Sequence, residues 1–156
     1  MFGLSKKSKA TKHLFAWRMS LSKLLGLAIG ISVAGVALQN IPELSLYTAG
    51  GIILWFTLQG GVIGMAGIFT RHPLFKSWSF PAWFRGAMLG MGMHLVLALL
   101  LFSQIPWETL PLTWFGYDFL DLIWLWIAVE GALLGLLWDV LITATTAEGK
   151  KLTKSL

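Results

Sequence analysis

The stretch Leu120–Ala144, LDLIWLWIAVEGALLGLLWDVLITA, constrains the chain more than any other. A helix rises about 1.5 Å per residue and a bilayer has a hydrocarbon core of about 30 Å, so roughly 20 consecutive apolar residues suffice to cross it, and this run is long enough. Glu130 interrupts its apolar character. A charged residue at the centre of such a helix costs roughly 2.5–3.5 kcal/mol on insertion scales, so Glu130 is expected to be neutral, turned toward protein, or paired.

Three more apolar runs precede it: Leu24–Leu38, Ala49–Phe69 and Gly86–Phe102. The first is short, so Lys23 must reach out of the apolar layer while Gln39 and Asn40 sit at the far interface. The apolar residues fall in unbroken runs rather than one-sided periodic faces, and only 12% of residues are charged against 56% hydrophobic. A soluble domain of this size carries about 25% charged residues. The reading is an all-α, polytopic integral membrane protein, a four-transmembrane-helix bundle with spans at about 24–38, 49–69, 86–102 and 120–144.

All 12 Lys and Arg lie in three places: residues 6–23, the connection from Arg71 to Arg85, and the tail after Lys150. Cytoplasmic flanks of membrane helices are rich in Lys and Arg, which puts both termini and the middle connection inside (N-in, C-in). The net charge of +5 is then a topology signal, and no nucleic-acid partner is called for. The expected partners are a bilayer with an anionic cytoplasmic leaflet and other copies or other membrane subunits. Residues 1–23 read as a basic cytoplasmic or interfacial segment, a frayed topogenic tail in preference to an amphipathic surface helix. That basic region is long for a cleaved signal, so it is taken as retained. Residues 145–156 read as a basic cytoplasmic tail. A bacterial inner membrane is the default location, and an organellar membrane obeys the same charge rule.

Small residues mark the helix faces. Gly26 and Gly30 continue a four-residue ridge from Ser22 to Ala34; Gly60, Gly64 and Gly67 share a face of the second run; Gly86 and Gly90 do so in the third, with His94, and Gly131 and Gly135 in the fourth, with Asp139. Such ridges let backbones approach closely, within one bundle or between copies.

Gln59, His94 and Glu130 fall near mid-depth of the second, third and fourth runs. Three such groups lower one another's burial cost if they hydrogen-bond, which predicts a polar cluster that locks helix register or serves a proton, cation or small-solute path. Asp139 lies near the inner boundary, where Arg85, Arg71 or the N-terminal lysines could meet it, a secondary inner-side site.

Cysteine is absent, which removes disulfides, thiolate nucleophiles and thiolate metal sites. No hydrolase, zincin or phosphate-binding motif is present, and the 3 histidines are scattered, so neither a catalytic residue nor a metal site is predicted. His94 in an apolar bundle is a ligand type for haem or a chlorophyll-like macrocycle, although no cofactor is required. The expected function is a small integral membrane subunit that packs through glycine-rich helix faces into an oligomer or larger membrane complex. The alternatives are a transport component using the Gln59, His94 and Glu130 cluster, and a lipid-headgroup-modifying enzyme acting at Asp139.

Overall fold

The computed structural model describes residues 4–70, 80–101, 113–114, 117–118 and 123–146, with side chains in the helices from residue 13 onward. Four helices follow in order: α1 (Leu4–Asn40), α2 (Leu46–Ala66), α3 (Ala82–Leu101) and α4 (Ile123–Thr145). All four are long and apolar enough to cross a membrane. Between α3 and α4, β1 (Thr113–Trp114) pairs antiparallel with β2 (Tyr117–Asp118).

The helix boundaries follow local chemistry. The 37 residues of α1 extend it to about 55 Å, well beyond the predicted run, because nothing between Leu4 and Leu25 breaks a helix. The expected frayed tail is therefore continuous helix from Leu4. Pro42 lies in the turn after α1, and Ser45 caps α2, its Oγ accepting from Thr48 N–H at 3.1 Å. That cap starts α2 one turn earlier than hydropathy alone suggests. Pro81 stands just before α3 at the helix start, where its missing N–H costs nothing.

The helices pack as two antiparallel hairpins, α1 with α2 and α3 with α4, joined by sparser contacts. Glycine makes each hairpin tight. A Cβ on Gly26 would lie 2.3 Å from the Phe56 carbonyl oxygen, and one on Gly60 equally close to that of Ser22. In the second hairpin, a Cβ on Gly90 would meet Gly131 O at 2.1 Å and one on Gly135 would meet Gly86 O at 2.2 Å. Where apolar burial gives no advantage over lipid, such close backbone approach maximises dispersion contact between helices. The glycine faces expected to carry assembly are thus occupied within the chain.

Trp138 joins the hairpins. Its indole fills the notch left by Gly26 and Gly60, is 2% exposed, and donates Nε1–H to Ser22 Oγ at 3.1 Å. Around it Ile52, Phe56, Ile63 and Ile142 form a thin core. The outward surface is apolar on every helix, as at Leu24, Leu58, Leu99 and Leu137, which is the surface lipid would cover.

Candidate functional site

Asp139 is fully buried on α4 next to Trp138 and gathers two buried guanidinium groups. Arg85 reaches it from α3 side-on, with Nε to Oδ2 at 2.7 Å and Nη2 to Oδ1 at 3.1 Å. Arg18 reaches it from α1, with Nη2 to Oδ1 at 2.5 Å. Thr143, one turn further along α4, donates to Oδ1 at 3.3 Å. Burial in low dielectric strengthens these charge-assisted bonds and makes any unpaired member costly.

The two guanidinium groups then distribute their other N–H groups. Arg18 Nε donates to Gly64 O on α2 at 3.0 Å, and its Nη1 donates to Thr143 and Thr146 Oγ1, each at 3.1 Å. Arg85 Nη1 donates to Phe69 O at 3.1 Å and Phe80 O at 3.4 Å, on either side of the connection between α2 and α3. One carboxylate is therefore the hub on which all four helices converge. Gly67 is part of this arrangement, because a Cβ there would sit 2.1 Å from Arg18 Nε.

Of the inner-side residues singled out from sequence, Asp139 and Arg85 are brought together, while Arg71 lies outside the described residues. Arg18 was not singled out, nor was Trp138. Arg18 sits one turn before Ser22 on the same ridge as Gly26 and Gly30, so continuing that four-residue spacing backward would have placed it at the buried interface.

The mid-depth trio is arranged differently from the expected cluster. Gln59 is fully buried, yet neither its Oε1 nor its Nε2 has a hydrogen-bond partner among the described residues; Trp55 Nε1, one turn away, is also buried without one. His94 places Nδ1 3.0 Å from Gly90 O and packs edge-on against Phe56, ring centroids 5.6 Å apart. No hydrogen bond or ion pair links His94 to Glu130 among the described residues, and Glu130 is exposed. The reason is angular. Gly131 and Gly135 turn inward against α3, and Glu130, about 100° around the helix from Gly131, turns outward.

A buried amide with no partner carries a desolvation cost of about 1–3 kcal/mol. Gln59→Met, which removes the polar atoms and keeps the length of the side chain, is therefore expected to raise the thermal stability of the detergent-solubilised protein by an amount of that order. A loss of stability would mean that the amide is satisfied by a bound molecule.

No family model, no curated protein and no solved structure matches this chain.

Proposed function

We propose that this chain is a small integral membrane subunit, both termini inside, that assembles with other protein through the outward face of α4. The observation that supports it is Glu130. Of its 23 residues, α4 carries this acid in its third turn, about 10 Å from the helix start and thus at hydrocarbon depth if the helix spans a bilayer. The bundle leaves the acid uncovered, with exposed Val129 and Leu133 beside it. Lipid offers such a carboxyl neither donor nor acceptor, and ionisable groups at that depth ordinarily face protein. Outward apolar surface remains on every helix, and among the described helices it is that of α4 that carries an acid. A bacterial inner membrane is the proposed setting.

The ion cluster at Asp139 fits this reading as an internal clamp. Its carboxylate oxygens are taken up by two guanidinium groups and a threonine, which suits holding helices in place better than acting on a lipid headgroup.

The test is particle mass in lipid nanodiscs. The wild-type protein is expected to run as an assembly and Glu130→Leu to shift toward the monomer, with helix content unchanged. Wild-type protein that is monomeric at every lipid-to-protein ratio, including in membranes of its own source, would overturn the reading. The second reading, a solute or proton path, draws support from the unpartnered amide of Gln59 and indole of Trp55. Proton flux through reconstituted vesicles that disappears in Gln59→Met would favour it.

A further inference from the structure

We infer that the partner on the α4 face is a second copy of this chain, paired about a two-fold axis along the helices with Glu130 meeting Glu130. The inference rests on the subunit reading above and names its occupant. Two independent features of α4 point to it.

The first is the spacing of the exposed face. Trp126, Glu130, Leu133, Leu137, Val140 and Ala144 are all exposed and follow one another by four, three, four, three and four residues. That alternation is the 3.5-residue repeat by which two helices stay in contact along a shallow left-handed crossing, and here it runs almost the length of α4. A single polar residue within such a seam sets register and the number of strands, at some cost in stability. Glu130 occupies that place.

The second is chemical self-complementarity. A neutral carboxyl group carries one O–H donor and one C=O acceptor, so two of them facing each other exchange two hydrogen bonds with no other residue involved. A two-fold axis along the helices holds identical residues at identical depth, which is the geometry this exchange requires. A heterologous contact between copies would need a different polar group to receive Glu130. At the level of Glu130 the exposed positions of α3 offer none, since Met91, Val96 and Leu99 are apolar and Gly92 has no side chain.

The chain contains no cysteine, which makes the seam directly testable. Single variants Leu133→Cys and Leu137→Cys on α4, and Leu99→Cys on the exposed face of α3, are reconstituted in phosphatidylcholine–phosphatidylglycerol vesicles and oxidised with copper phenanthroline. Disulfide-linked dimer is expected at Leu133→Cys and Leu137→Cys and absent at Leu99→Cys. In the Leu133→Cys background, Glu130→Gln keeps a donor and an acceptor and should retain the dimer. Glu130→Leu should weaken it by about 3- to 30-fold, the range that interhelical hydrogen bonds in lipid span. Equal cross-linking at Leu99→Cys, or none at the two seam positions, would overturn the inference. Should the seam fail to cross-link while protein extracted from its own source membrane still runs above monomer mass, the second copy at the α4 seam is excluded and the subunit reading stands with a different partner.

Discussion

Asp139→Ala is expected to destabilise the protein by about 3–5 kcal/mol, the cost of removing one partner from a buried ionic group. Arg18 and Arg85 are 0% and 4% exposed, so the variant removes the carboxylate that two buried guanidinium groups share. Arg18→Met should cost distinctly less. It leaves one cation and one anion, Arg85 and Asp139, still joined through two hydrogen bonds, and a flexible apolar chain in the place of the first. The order of the two variants in denaturant or thermal unfolding, measured in one detergent, checks the argument. Equal losses would show that what matters at the cluster is the number of hydrogen bonds and not the balance of charge.

Gly90→Ala is the second large effect. Its new methyl would lie 2.1 Å from Gly131 O and 2.7 Å from the Gly135 Cα, all of them backbone atoms that no rotamer change can move aside. Relieving the overlap takes a separation of α3 from α4 on the order of 1 Å, and overpacking of this kind costs about 1–3 kcal/mol or more. The expected loss lies at the top of that range, because Gly86 and Gly135 lose their close approach together with Gly90. Gly92→Ala, two residues along and with open space where the methyl goes, is the control and should be neutral or slightly stabilising. Thermal unfolding of the pair decides the matter, and similar behaviour of the two variants would refute backbone contact as the basis of the hairpin.

The four helices were legible because a long apolar run is a local property that needs no knowledge of neighbours. Their limits moved where a cap or a proline acts, at Ser45 and Pro81, and where a basic segment without breakers continued α1 toward Leu4. Direction around the helix was the harder quantity. Gln59, His94 and Glu130 were matched by height alone, and height does not say which way a side chain faces. The spacing of Gly131, Gly135 and Asp139 did define an inward face of α4, and Glu130 lies beside it rather than on it.

Arg18 escaped notice for a different reason. A basic residue ahead of an apolar run is ordinarily a topological marker, and that role gave sufficient cause for its presence. Only the tertiary arrangement, in which α4 returns with a carboxylate at the matching level, turns the same residue into a structural partner. Trp138 was similarly hidden within a continuous apolar run, although it stands next to Asp139, the acid that faces inward among the described residues.

The sequence separation within the ion cluster has a consequence for biogenesis. Arg18 and Asp139 are 121 residues apart, so the arginine emerges from the ribosome long before its counterion exists. Until the last helix is made, neither Arg18 nor Arg85 can meet the Asp139 carboxylate. Arrival of α4 makes both contacts possible at once. A nascent chain halted before that point would lack both ion pairs, including the one that ties α1 to α4.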